Sequence, residues 1–198
     1  MPDYIYEKEL SENGYKFICG VDEAGRGPLA GPVCAAAVIL PIDAEIPGLN
    51  DSKKLSEKKR EALFPVVIEK AVAYSIAYAT VEEIEEHNIL NATFIAMNRA
   101  VEGLSVRADY ALVDGNRVPK DCPVPVTTVV KGDSLSMSIA AASILAKVSR
   151  DRLMTEIDKK YPQYNFKKHK GYGTAEHMDC IRAFGPCPEH RPSFLKKL

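Results

Sequence analysis

The chain has 198 residues, 46% of them hydrophobic and 27% charged, with a net charge of −1 at pH 7. That length suits one globular domain, or one with a small appendage, and supports a core without disulfide staples. The composition excludes fibrous and disordered classes, and no apolar run is long enough for a membrane-spanning helix.

The opening residues Met1 to Glu7 have neither a basic head nor an apolar centre, so no secretion leader is expected. Residues up to 14 form a short leading element. Residues 15–21 are an apolar run and read as a buried strand. Two adjacent carboxylates, Asp22 and Glu23, follow it. Neighbouring strand residues face opposite ways, so both serve one site only if the strand ends or bulges there. Gly25 and Gly27 supply such a break, with Arg26 between them on backbone that a ligand can approach. A carboxylate pair in a partly buried place is costly unless a cation is present. The stretch therefore reads either as a divalent-metal site beside a phosphate or sugar contact, or as a solvated turn, since Asp, Glu and Gly are ordinary turn residues.

Gly25 to Ala30 also fits the loose dinucleotide pattern G-x-G-x-x-A, which requires a helix to follow. Residues 32–40 instead lie between prolines and are rich in branched side chains, so they read as a second strand. It pairs with the first as a hairpin around the 25–27 loop. The dinucleotide reading, and with it an oxidoreductase, is set aside.

Asn50 to Leu55 is a polar, basic loop. Ser56 caps a helix that Pro65 is expected to kink or shorten. Residues 71–79 alternate as a third strand. Thr80 and Glu83 make a capping box for residues 81–87, and residues 91–104 form an amphipathic helix closed by Gly103. The strand at 109–113 ends in Asp114-Gly115-Asn116, repeating the opening pattern of buried strand, carboxylate and glycine. Another strand spans 124–130. A turn at Lys131 to Ser134 leads into a long helix over roughly 135–161, too apolar and small along 136–148 to be surface. Ser143, Lys147 and Asp151 are four apart and form one polar stripe on it. Such a stripe needs partners: either an internal Lys147–Asp151 ion pair, or a role for Asp151 among the other carboxylates while Ser143 and Lys147 touch a phosphate. A basic loop, a helix capped by Thr174 that ends at Gly185, and a proline-rich tail complete the chain. Residues 159–198 hold nine Lys and Arg against three acids, which suits contact with a phosphate backbone or serves solubility alone. Strands come early with helices interleaved, an α/β arrangement with a mixed sheet.

The five cysteines, Cys19, Cys34, Cys122, Cys180 and Cys187, are odd in number and scattered. Structural zinc is not expected, and a reducing cytoplasmic setting is. Cys19 and Cys34 fall on the predicted buried strands and are expected to pack the core.

Gly20-Val21-Asp22-Glu23-Ala24-Gly25-Arg26-Gly27-Pro28, Asn50-Asp51-Ser52-Lys53-Lys54-Leu55, Val113-Asp114-Gly115-Asn116, Lys131-Gly132-Asp133-Ser134, residues 138–151 and His169-Lys170-Gly171-Tyr172-Gly173-Thr174 occur in this order. With His190-Arg191-Pro192-Ser193-Phe194, they make the chain resemble ribonuclease HII over nearly its whole length. The resemblance implies a ribonuclease H-like fold, a mixed central sheet flanked by helices with a small C-terminal helical part. It implies a single catalytic domain over 1–198, with about 160–198 as a basic substrate-binding segment. It implies endonucleolytic cleavage of RNA in RNA–DNA hybrids, and cleavage 5′ of single ribonucleotides in duplex DNA to leave a 3′-hydroxyl and a 5′-phosphate. The implied cofactor is Mn²⁺ or Mg²⁺, two ions with substrate bound.

The resemblance carries Asp22, Glu23 and Asp114 over as metal ligands. Asp151 is taken as the fourth carboxylate in preference to Asp133, which is expected to cap the long helix. Gly25, Arg26 and Gly27 would read the 2′-hydroxyl that separates RNA from DNA, Tyr172 would stack on the sugar beyond the junction, and Ser143 and Lys147 would contact phosphate. Two hard cations about 4 Å apart can both activate water and stabilise a leaving oxyanion, and they favour oxygen ligands. A monomer without membrane association is expected. The rival reading is a metal-free nucleic-acid-binding module using the basic end, but such a module has no use for converging carboxylates.

Overall fold

The structure is a computed structural model that describes residues 1–196. Helix α1 (Ile5–Glu12) leads into β1 (Ile18–Ala24) and β2 (Val33–Ile39). Then come α2 (Glu57–Lys70), β3 (Ala73–Ala79), α3 (Val81–Glu102), β4 (Tyr110–Asp114), β5 (Val126–Val129) and α4 (Met137–Lys160). Three short helices, α5 (Phe166–His169), α6 (Ala175–Phe184) and α7 (Pro192–Leu195), form the C-terminal part. The sheet order is β3-β2-β1-β4-β5. The β1–β2 and β2–β3 pairs are antiparallel, while β1–β4 and β4–β5 are parallel. This is the expected mixed sheet with helices on both faces. No helix among the described residues is long and apolar enough to cross a membrane.

Alternation along the strands builds the two core layers. Cys19, Val21, Ala35, Ala37 and Val113 pack with Ala92, Ala96 and Ala100 of α3. Cys34, Ala36 and Val38 pack with the alanine-rich start of α4 on the other face. Burial pushes the thiols of Cys19 and Cys34 up, consistent with packing roles. Helix α4 lies directly on β1, because Gly20 has no side chain. A Cβ there would sit 2.1 Å from the Ser138 carbonyl carbon. This close approach seats the long helix against the strand that carries Asp22.

Several local expectations change. Strand β1 starts later than expected and runs through both acids to Ala24, so it neither ends nor bulges at Asp22. Helix α2 continues through Pro65, with Leu63 and Val67 buried on either side of it. Proline forfeits one amide donor, and packing on both sides holds the helix. The break within α3 falls at Asn88 (φ 64°, ψ 164°), whose Oδ1 accepts the amides of Leu90 and Asn91 and restarts the helix.

Candidate active site

Because β1 and β4 are parallel neighbours with Val21 beside Val113, Asp22 and Asp114 leave the sheet side by side. Asp133 reaches them from the turn after β5. The Gly132 amide donates to Asp114 Oδ1 at 2.6 Å, drawing that turn onto the strand end. One oxygen from each of Asp22, Asp114 and Asp133 lies within 4.8 Å of the others.

Burial, then Glu23 and Asp114, raise the Asp22 pKa well above the ordinary carboxylate range. Burial and Asp114 also raise Asp133, with Lys53 opposing. Lys53 Nζ lies 3.3 Å from Asp133 Oδ2. Burial works against the Lys53 charge, but Asp22 and Asp133 outweigh it and its pKa is raised. Close carboxylates with raised pKa values are in want of a cation, and hard oxygen donors fit Mg²⁺ or Mn²⁺. The residues present therefore fit a divalent metal.

Glu23 faces the other side of β1, toward α3, because neighbouring strand residues alternate. It contacts Arg26 at 3.4 Å and lines a shallow cleft with Phe94, Asp114, Asn116 and Arg117. Its pKa is raised by burial, with Arg26 opposing and Asp114 adding to the rise. Glu23 thus flanks the cluster.

Asp151 is not brought to the cluster, which corrects its assignment as the fourth carboxylate. Its Oδ1 accepts Lys147 Nζ at 2.7 Å, and Arg60 lies 3.9 Å from its Oδ2. The internal Lys147–Asp151 ion pair, one of the two alternatives for the stripe, is the one formed, and Arg60 adds a second cation. Nor does Asp133 cap the long helix. Ser136 does so, its side chain accepting the Ile139 amide, so Asp133 is left for the cluster. The phosphate contact expected of Ser143 is corrected as well: the side chain is buried and donates to the Ala140 carbonyl at 2.9 Å.

The Gly25–Gly31 loop is held from within. Gly25 has φ +99°, and a Cβ there would collide with Arg150. The Arg150 guanidinium donates to the carbonyls of Pro32, Ala30 and Lys170. The Arg191 guanidinium donates to those of Gly25, Arg26, Pro28 and Gly31. Both arginines are fully buried. Tyr172 is 42% exposed and stands beside this loop, its ring 3.9 Å from where a Gly27 Cβ would lie. Lys147 Nζ sits 5.8 Å from the Tyr172 ring centre.

The basic end is less available than expected. Arg191 is inside, and Lys159, Lys168 and Arg182 pair with Glu156, Glu176 and Asp179. Lys197, which belonged to that expectation, lies outside the described residues. Sequence reasoning gave no role to Lys53, Arg150 or Arg191. Lys53 was visible only as part of a basic loop. A buried arginine whose partners are carbonyls distant in sequence leaves no local signal.

A ribonuclease HII family model matches residues 19–197. The ribonuclease HII of Caldanaerobacter subterraneus is 55% identical over 194 residues, covering 98% of this chain and 80% of that protein. The crystal structure of ribonuclease H2 from Pyrococcus horikoshii superposes with a TM-score of 0.74 at 27% identity, over 90% of this chain and 93% of the other. A Bst-RNase HIII structure in complex with Mn²⁺ shares the fold, with a TM-score of 0.68 at 18% identity, over 93% and 67% of the two chains. Carboxylates converging at the edge of a ribonuclease H-like sheet agree with these likenesses. The chain belongs to the ribonuclease HII family of metal-dependent endoribonucleases, which cut the RNA of RNA–DNA hybrids.

Proposed function

We propose that the protein also cuts duplex DNA 5′ of a single embedded ribonucleotide, using two divalent ions held by Asp22, Asp114 and Asp133, with Glu23 joining them from the other side of β1 through the cleft it lines with Asp114. The observation that carries this reading is the meeting of three carboxylate oxygens within 4.8 Å, beside a glycine loop and an exposed tyrosine. When bound, the ions supply Lewis acidity toward the scissile phosphate and a nucleophilic water at neutral pH. Asp22 and Asp114 would hold them from the rigid sheet, and Asp133 would close the site from its turn. Lys53 tempers the charge before metal arrives. The backbone of Gly25, Arg26 and Gly27 approaches the ribose where a 2′-hydroxyl can be recognised, and Tyr172 stacks on the neighbouring sugar. Lys147, near the Tyr172 ring, lies on the same side and offers a positive charge to the phosphate backbone.

In this reading one catalytic domain supplies all these groups and the enzyme acts as a monomer; its five free cysteines suit a reducing cytoplasm. Its C-terminal part shapes the substrate-reading loops more than it supplies free charge. The experiment is cleavage of a labelled duplex bearing one ribonucleotide, with and without Mn²⁺. A metal-dependent cut 5′ of the ribonucleotide, leaving a 3′-hydroxyl, is expected. Binding without cleavage would favour the metal-free module instead.

A further inference from the structure

Three histidines and two aromatic rings form a buried cluster beneath Tyr172. His169 and His177 stack with ring centres 4.3 Å apart, and Phe166 packs against His169, His177 and His190. His177 is 0% and His190 2% exposed. The polar contacts of the cluster fix its tautomers. His190 Nδ1 lies 2.9 Å from the Cys187 amide and 3.3 Å from the Cys187 carbonyl; that carbonyl already accepts the His190 amide at 2.9 Å, so Nδ1 accepts the shorter contact and the His190 proton is on Nε2. That Nε2–H faces His177 Nε2 at 3.1 Å, which must accept. The His177 proton is then on Nδ1 and donates to the Tyr172 carbonyl at 2.9 Å. A directed chain thus runs from Cys187 through His190 and His177 to the backbone of Tyr172. Burial pushes His177 down to about 4 and lowers His190, so the chain stays neutral and intact at pH 7.

The same segment grips the other reading loop. Next to His190, Arg191 holds four carbonyls of the Gly25–Gly31 stretch, and its own amide donates to the Leu29 carbonyl at 2.8 Å. Leu29 in turn donates its amide to the Gly171 carbonyl at 2.8 Å. Neighbouring residues of one segment therefore locate both the glycine loop and Tyr172. A side chain that only filled space under Tyr172 would not need this ordered relay.

We infer that His177, aligned by His190, is a positioning residue that fixes Tyr172 against the Gly25–Gly27 loop for recognition of a ribonucleotide. The inference rests on the reading that Tyr172 contacts the substrate sugar. His177 touches no reacting atom and acts only through the Tyr172 backbone.

The test uses paired substitutions in the full chain with Mn²⁺ and a duplex bearing one ribonucleotide. The Asn amide nitrogen can stand where Nδ1 stands and keep the bond to Tyr172, whereas Gln reaches only the Nε2 position and loses it. His177→Gln should lower kcat about tenfold, the size of one lost hydrogen bond, with KM little changed. His177→Asn should recover most of that loss, although Asn departs further from histidine in volume. In a Tyr172→Ala background, His177→Gln should add no further loss, because the two act through one contact. If His177→Gln fails to fold, the pair at His190 replaces it: His190→Gln keeps the donor to His177 and should outperform His190→Asn. Equal losses from Asn and Gln, or losses that multiply in the Tyr172→Ala background, would overturn the positioning role. Wild-type cleavage by Tyr172→Ala alone would overturn the substrate role of Tyr172, and this inference with it.

Discussion

Asp151 answers to Lys147 and Arg60, not to the Asp22–Asp114–Asp133 cluster, and the reason is local. Spacing along a helix reveals that Ser143, Lys147 and Asp151 share a stripe, but not what faces it. Arg60, from a different helix, meets Asp151. Removing that carboxylate leaves Lys147 and Arg60 without their anion, so Asp151→Asn should lower stability by ~1–3 kcal/mol, read as a drop in Tm. Asp22 behaves oppositely. Its folded-state pKa is raised by burial, then by Glu23 and Asp114. A carboxylate with a raised folded pKa contributes stability below its unfolded pKa, and that stability is lost as pH rises toward the folded value. At pH 7 without metal, Asp22→Asn should therefore raise Tm while abolishing cleavage. A lower metal-free Tm for Asp22→Asn would mean that the charge is not under repulsion.

Most of the helices and strands rest on local signals. The sequence made most of them legible, including the capping box at Thr80 and Glu83 and the Thr174 cap of α6. It also exposed the strand–carboxylate–glycine repeat at Asp22 and Asp114, because each of these rests on neighbours in the chain. What it concealed depends on contacts between distant segments. Glu7, on the short leading helix, is buried and its Oε1 accepts Ser136 Oγ at 2.6 Å and the Ser138 amide at 3.0 Å. Helix α1 thereby pins the start of α4, next to the turn that carries Asp133. Arg191 does the same for the glycine loop from the far end of the chain. Arg191→Met would orphan several buried carbonyls at once and should cost about 3 kcal/mol or more. Urea unfolding measures it, and an unchanged midpoint would show that water replaces the guanidinium.

At the scale of the whole molecule, the fold follows from strand pattern and the site from sheet topology. The α/β class with a mixed sheet was readable because apolar runs and one alternating stretch mark the early strands and the interleaved helical segments carry caps. The neighbouring positions of β1 and β4 were not readable, since strand order is a long-range property. That order puts two sequence-distant acids at one sheet edge. A ligand that binds only the folded state stabilises it by mass action, about 2.7 kcal/mol at a hundredfold excess over Kd. Mn²⁺ should raise Tm accordingly in the wild-type chain. Because burial and mutual repulsion raise Asp22, Glu23 and Asp133, metal uptake should release protons and weaken as pH falls. Calorimetry in buffers of different ionisation enthalpy counts those protons; their number should grow as pH falls, and a count that stays at zero down to the ordinary carboxylate range would contradict the raised pKa values. The buried histidines add a separate acid sensitivity. His177 is lowered to about 4 by burial, so the unfolded chain binds a proton there that the folded chain refuses. Stability from this group should fall as pH drops from about 6.5 toward 4 and then level off. Thermal melts of His177→Asn should have a flatter pH profile across that window.

The most direct test of the site itself compares two conservative changes under one assay. Asp133→Asn and Asp151→Asn each remove one charge and keep the side-chain shape. Single-turnover cleavage of a duplex carrying one ribonucleotide, together with Mn²⁺ titration by calorimetry, reads both chemistry and metal binding. The Asp22–Asp114–Asp133 cluster predicts that Asp133→Asn weakens Mn²⁺ binding and cuts the rate by a factor on the order of a hundred or more, the loss of at least ~2.7 kcal/mol of transition-state stabilisation. It predicts that Asp151→Asn, measured below its lowered Tm, keeps its Mn²⁺ affinity and most of the rate. Wild-type metal binding and cleavage by Asp133→Asn, with both lost in Asp151→Asn, would contradict it.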